Sequence, residues 1–201
     1  MDGMHAMGAA LAPAMTTAEQ ALLRAAALGR RAGLEFGCGG STGALLEAGL
    51  LRLTSVDSDA AWLDRVAADA RCAPALEAGR LRLLHADIGP VGEWGWPANA
   101  TALPRWPGYW RDAWEAAGEV DLVLVDGRFR VASALAGVPR LADGAVLLVH
   151  DFWCRPHYRG PILRHYDLAG SAGSLALLEP RRPVDAAMLA ADLAAYAFDP
   201  Q

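Results

Sequence analysis

The stretch Leu34-Glu35-Phe36-Gly37-Cys38-Gly39-Gly40-Ser41-Thr42-Gly43 constrains this chain more than any other, because a short apolar run stops at an acid and then at clustered glycines. It reads as a strand, a tight turn and the first turn of a helix. Glycine reaches positive φ without a Cβ clash and lets a ligand lie directly on the backbone. Ser41 and Thr42 suit a helix start, where their hydroxyls can satisfy free amides. In an open parallel sheet this turn lies at the carboxyl end of the first strand, at the switch point where nucleotide-like ligands bind. Gly37-x-Gly39-x-x-Thr42 lacks the last glycine of the dinucleotide fingerprint, although Gly43 sits one place further on. Glu35 would add negative charge beside a pyrophosphate, but it suits a ligand carrying ammonium or sulfonium charge.

The rest of the chain supplies strands and helices in alternation. Residues 1–15 carry no strong pattern and are expected to be a loose tail ahead of a single domain over 16–201. Thr17 with Gln20 fits a capping box for a helix that continues through Leu22, Leu23, Ala26 and Leu28 and ends near Gly33. After the glycine turn, a helix reaches Ala48 and stops at Gly49. Leu51 to Val56 alternates as a second strand and ends at Asp57. From Gly37 to Asp57 is 20 residues, the distance at which an acid at the end of the second strand hydrogen-bonds ribose hydroxyls. Asp59 is expected to cap the next helix, from about Ala60 to Leu76, although Asp57 is also a possible cap. Leu81 to His85 is the third strand, with His85 read as a structural histidine. Val120 to Val125 is an almost unbroken apolar run, as suits a central parallel strand. It ends at Asp126-Gly127, and a helix from about Phe129 to Leu141 follows. Ala145 to Val149 is the fifth strand and ends at His150-Asp151. A short helix over 161–165, two strands over 166–169 and 174–178 joined by a glycine turn, and a helix over 186–198 complete the chain. Every strand up to the fifth delivers polar residues at the same carboxyl edge, and that convergence is the main functional signal.

The connection over 89–119 is irregular and holds five of the seven tryptophans. Trp110 and Trp114, four apart, share one face of a short helix from about Pro107 to Ala117. That face is either core or part of a wall over the ligand, since connections this long are commonly functional. Trp94 and Trp96, directly after Asp87 and Ile88, are the candidates for an acceptor wall. Trp106, Trp110 and Trp114 are expected to pack the helix onto the sheet.

At 201 residues, 54% hydrophobic and 20% charged, the chain suits one globular domain with a full core. A net charge of −5 gives no electrostatic footprint for nucleic acid. Three irregularly spaced cysteines, Cys38, Cys72 and Cys154, argue against a disulfide framework and for a cytoplasmic setting. No apolar run is long enough to span a bilayer.

Four stations in order, Glu35-x-Gly37-x-Gly39, Asp57, Asp87-Ile88, and Asp126-Gly127 with His150-Asp151, resemble the class I S-adenosylmethionine-dependent methyltransferases. The last pair resembles the branch whose fourth strand ends in Asp-Gly and whose fifth ends in His-Asp. The resemblance runs from about Thr17 to Leu178. It implies an α/β Rossmann-like, doubly wound, mostly parallel seven-stranded sheet with an antiparallel edge strand. It also implies S-adenosylmethionine as cofactor, its methionine part on the Gly37–Gly39 backbone, with Glu35, Cys38, Ser41 and Asp126 around it. Asp57 would hold the ribose, Asp87 the adenine amino group, and Ile88 the ring. Where the branch often has Asp-Gly-Asp-His, this chain has Asp126-Gly127-Arg128-Phe129, which removes two possible metal ligands; no metal is expected.

The implied activity is methyl transfer to a small acceptor, at oxygen rather than nitrogen. His150, Asp151 and Asp126 are the candidate catalytic groups, each with an alternative structural role as a helix cap or loop partner. Ligation of a metal by the same three residues is the second use weighed for them. Arg128 and Arg130 either bind an acidic acceptor or are solvated arginines at a helix start. The rival functions are a nicotinamide-dependent oxidoreductase and a non-catalytic module that binds S-adenosylmethionine. Oligomeric state is not legible in the sequence.

Overall fold

The computed structural model describes residues 10–201. Its centre is a seven-stranded sheet in the order β3-β2-β1-β4-β5-β7-β6. The strands are β1 (Ala32–Phe36), β2 (Arg52–Asp57), β3 (Leu81–His85), β4 (Leu122–Val125), β5 (Val146–Val149), β6 (Tyr166–Ala172) and β7 (Leu175–Pro180). The first five run parallel, and β7 pairs antiparallel with both β5 and β6. The chain winds outward from β1 to β3, then returns to start β4 on the other side of β1. That reversal puts the crevice between the carboxyl ends of β1 and β4.

Among the described residues, eight α-helices cover the two faces: α1 (Thr17–Ala27), α2 (Gly40–Glu47), α3 (Ala60–Ala67) and α4 (Cys72–Glu77) on one, and α5 (Gly108–Ala117), α6 (Arg130–Gly137), α7 (Pro156–Leu163) and α8 (Ala186–Tyr196) on the other. The period-two pleat explains why the central strands are apolar throughout. Leu122 and Leu124 meet the α1–α4 layer, whereas Val123 and Val125 meet the α5–α8 layer. Trp114 is fully buried and donates its indole N–H to Ser133 O at 2.9 Å. It packs near Phe36, itself stacked obliquely on Tyr109, so this part of the tryptophan-rich connection is core. Trp110 is half-buried and donates to Ala197 O, tying α5 to the end of the chain.

Several local expectations need correction. The first helix is capped by Thr16, not Thr17: Thr16 Oγ1 accepts from Glu19 N, and the Glu19 carboxylate accepts from Thr16 N at 2.7 Å. This helix ends at Ala27 rather than near Gly33, because Leu28 turns out to solvent and Gly29 takes φ +75°. Gly33 lies inside β1. The helix expected over 60–76 is two helices, broken where Asp69 accepts the backbone amides of Arg71 and Leu11. Helix α6 stops at Gly137, two residues before Pro139, and α7 begins at Pro156 with Pro161 inside it. The turn between β6 and β7 is Gly173-Ser174, so Gly170 to Ala172 belong to the strand. Of the tail expected to be loose, residues 1–9 lie outside the described residues, while Leu11 is clamped by Asp69 and Arg71, and Ala12-Pro13 lie against Gly40.

Candidate functional site

The glycine turn is built from the inside. Glu35 is fully buried, and its carboxylate accepts three hydroxyls at 2.6 Å, from Ser41, Thr42 and Ser55. Burial pushes its pKa up to about 7, against the three donors that pull it down. The structure therefore places Glu35 behind the turn rather than on its open side, joining β1, β2 and the start of α2. Thr42 Oγ1 also accepts from Gly39 N, so the hydroxyls predicted at this helix start satisfy an amide and the acid together.

Gly37 has φ +85°, and a Cβ there would lie 2.5 Å from Gly127 N and Cα. Its need for glycine is set by the contact between β1 and β4. Gly39 is different: a Cβ there would meet only Trp62, at 3.7 Å. A Cβ would therefore fit here, although Gly39 is buried and the Trp62 indole lies beside it, donating to Cys38 O at 2.7 Å. Asp57, at the end of the neighbouring strand, has Oδ1 on Asp59 N at 3.0 Å, while Oδ2 has only the Cys38 thiol, 3.8 Å away. Burial raises the Asp57 pKa, against the backbone amides of Asp59, Ser58 and Cys38 that pull it down. Asp59 caps α3 through Trp62 N, as expected.

Asp87 lies further along the edge, exposed, bonded to Gly89 N and paired with Arg105. Ile88 is buried, and its carbonyl accepts the Trp106 indole N–H. The segment after them folds into a small loop, closed by Val91 against Pro97 and by Gly92 N donating to Trp96 O at 2.7 Å. Gly95 O accepts from Ser58 Oγ at 3.0 Å, next to Asp57. Trp94, at the tip, is 81% exposed with φ +59°. Trp96 lies on the guanidinium of Arg128, 4.7 Å from ring centroid to Cζ. The two candidate wall tryptophans thus sit on a loop reaching from the end of β2 to the end of β4.

At the ends of β4 and β5 the structure brings the three candidate catalytic residues together. Asp126 Oδ1 is 3.0 Å from His150 Nδ1 and 3.2 Å from Arg130 Nη2. Asp151 Oδ2 is 3.3 Å from Arg130 and 3.4 Å from Arg155. Glu19, from α1, lies 3.7 Å from His150 Nε2. Burial lowers the His150 pKa, but the hydrogen bond and charge of Asp126, with Asp151 and Glu19, outweigh it and leave it raised. His150 thus sits among carboxylates that favour its charged form. Potential ligand atoms of Asp126, His150 and Asp151 lie within 4.8 Å of one another. Arg130 already pairs with both carboxylates, and it also donates to Gly127 O and His150 O, so a buried guanidinium holds the place a cation would take.

Sequence reasoning named Arg130 without its role here, and missed Glu19 and Tyr158. Arg130 is a bracket between β4 and β5 rather than a solvated arginine. Glu19 is the buried partner of His150, and Tyr158 of α7 is fully buried with its hydroxyl unpartnered. The capping spacing of Glu19 is visible in the sequence; nothing there signals the long-range contact. A separate cavity of about 660 Å³ lies at the amino ends of β1, β2 and β4, lined by Arg31, Arg52, Glu119, Asp121 and Arg140. Its acids are used locally, Asp121 holding the amides of Arg31 and Ala32, and it contains none of the motif residues.

No protein-family model matches the chain, and no curated protein matches it. Among solved structures, it is similar to a methyltransferase-like protein from Silicibacter pomeroyi, with 29% identity over 94% of this chain and 98% of that one, and a TM-score of 0.77. It is also similar in fold to the C-terminal domain of precorrin-6Y C5,15-methyltransferase from Rhodobacter capsulatus, with 16% identity over 86% of this chain and 94% of that one, and a TM-score of 0.55.

Proposed function

We propose that this chain, which belongs to the class I S-adenosylmethionine-dependent methyltransferases, methylates an oxygen of a small-molecule acceptor. The observation that carries the cofactor placement is Asp57: a half-buried carboxylate whose Oδ2 has only a long thiol contact, beside the glycine turn, at the switch point of the sheet. The ribose diol would supply the donors that Oδ2 lacks. Gly37 to Gly39, with Cys38 and Ser41, would carry the methionine part, braced from behind by Glu35. Asp87 and Ile88 would border the adenine.

S-adenosylmethionine supplies a methyl activated by its sulfonium, so the acceptor oxygen gains the C–O bond as the C–S bond breaks, leaving S-adenosylhomocysteine. The protein's part is alignment and removal of the hydroxyl proton. Asp126 takes that proton in our reading: Oδ1 is held by His150 and Arg130, while no hydrogen bond engages Oδ2. His150 orients Asp126 through Nδ1, and Asp151 holds Arg130 in place. Trp94 and Trp96 would exclude water from the acceptor. The free cysteines Cys38, Cys72 and Cys154 favour action in the cytoplasm, and among the described residues no helix is long and apolar enough to cross a membrane.

Calorimetric titration with S-adenosylhomocysteine tests the reading. Wild type should bind it and should not bind NAD or NADP. Asp57→Ala should weaken that binding by about 1.5–3 kcal/mol, the scale of a hydrogen bond to a charged group. Binding of a nicotinamide cofactor in its place, or unchanged affinity in Asp57→Ala, would overturn it.

A further inference from the structure

Among the described residues, Arg128 is the buried charge left without partners. Its residue is 6% exposed, yet Nε and Nη1 are buried without any hydrogen-bond partner, and among the described residues it makes no ion pair. The side chain leaves the end of β4, runs under Trp96 and approaches Tyr158, whose hydroxyl is also buried and unpartnered. Arg130 and Arg155 flank the Tyr158 ring, each with Cζ 5.9 Å from its centroid. Around this place stand Arg128, Arg130, Arg155 and His150, and the carboxylates are Asp126, Asp151 and Glu19. Each carboxylate is used by a group other than Arg128. Arg128 is thereby left without a carboxylate of its own, its Nε and Nη1 lacking acceptors.

A buried cation without a partner is costly, and its burial and the nearby arginines lower its pKa. Such an arrangement suits a site completed by an anion. Its neighbours include Tyr109 of α5, Arg130 of α6, Tyr158 of α7 and Trp96 of the 91–97 loop, so the missing charge lies at the β4 side of the crevice. The shape points to a flat anion. A carboxylate matches the planar guanidinium, and Trp96 already lies over that plane. A phosphate would bring further charged oxygens into a pocket with few other free donors. Resting on the proposed methyl transfer, we infer that the acceptor is a carboxylic acid, its carboxylate bound by Arg128 with the Tyr158 hydroxyl as second donor, beneath Trp96.

The test is titration calorimetry on wild type, Arg128→Gln and Tyr158→Phe. The probes are 4-hydroxybenzoate, phenylacetate, benzoate and glutarate, each against its amide, with and without saturating S-adenosylhomocysteine. At least one acid should bind wild type tenfold or more tightly than its amide. Arg128→Gln should remove that preference, Tyr158→Phe should reduce it, and both variants should bind S-adenosylhomocysteine like wild type. Equal binding of every acid and its amide would overturn the inference. So would an Arg128→Gln variant that loses affinity for S-adenosylhomocysteine but keeps it for the decarboxylated analogue, since the anion would then be the cofactor's own carboxylate. Failure of S-adenosylhomocysteine to bind wild type would instead overturn the methyl-transfer reading, while the arm without it still reports on the anion site.

Discussion

Replacing Arg128 by methionine should make the protein more stable. The substitution keeps much of the side-chain length under Trp96 and removes a guanidinium with two buried, unpartnered donors. Leaving a buried donor unsatisfied costs about 1–3 kcal/mol, more when it is charged. Against this stands the stacking of the cation on Trp96, worth about 0.5–2 kcal/mol. With two donors on one side and one stacking contact on the other, the net gain should be about 1–2 kcal/mol. In a domain of this size that corresponds to a rise in Tm of roughly 2–8 °C, at about 2–4 °C per kcal/mol. Urea unfolding followed by circular dichroism measures the free energy, and scanning calorimetry the Tm. The same variant should lose carboxylate binding, the trade expected of a residue held in place for a ligand rather than for the fold. A fall in stability of 1 kcal/mol or more would refute this reasoning, because it would mean that Arg128 is satisfied within the protein.

The two glycines of the turn should separate cleanly. Gly37→Ala forces a side chain to φ +85° and into the Gly127 backbone, and should cost ~3 kcal/mol or more in unfolding experiments. Gly39→Ala should fold normally and weaken S-adenosylhomocysteine binding at least tenfold, about 1.4 kcal/mol by calorimetry; a Gly39→Ala protein with wild-type affinity would move the cofactor off this backbone. Trp114→Ala should lower stability by about 3–5 kcal/mol, as large buried truncations do, while Trp94→Ala, at the exposed loop tip, should leave the Tm unchanged. Acid should loosen the attachment of α1. For Glu19, burial alone would raise the pKa, but hydrogen bonds from Ser174 and Thr16 bring it down to about 2. Its folded pKa is below its unfolded one, so its stabilisation is full above about pH 4.5 and is lost as the pH falls towards 2. Glu19→Gln should flatten the pH dependence of unfolding in that window.

Much of the fold was legible because its signals are local. The apolar runs at β4 and β5, the glycines after β1 and the acid ending β2 each follow from a few neighbouring residues. The Asp59 cap and the helix holding Trp110 and Trp114 were readable for the same reason. What escaped depends on contacts distant in sequence. The break between α3 and α4 is stabilised by Leu11 meeting Asp69, 58 residues away. Thr16 and Thr17 are chemically alike, so only geometry shows which one caps α1. The carboxyl edge carrying the candidate site was identifiable from strand ends, but the pairing of its charges was not. Arg128 and Arg130 look equivalent in sequence, yet one is saturated by carbonyls and carboxylates and the other is not. Tyr158 was hidden because Pro161 made its segment read as a connection.

The Glu35 cluster bears on how much disorder a ligand must remove when it arrives. Ser41, Thr42 and Ser55 are each held by a hydrogen bond to the carboxylate, and all three are buried. Their torsional freedom is therefore lost when the chain folds. A ligand resting on the Gly37–Gly39 backbone meets a surface already in its final shape, so little of its binding energy goes into ordering the turn.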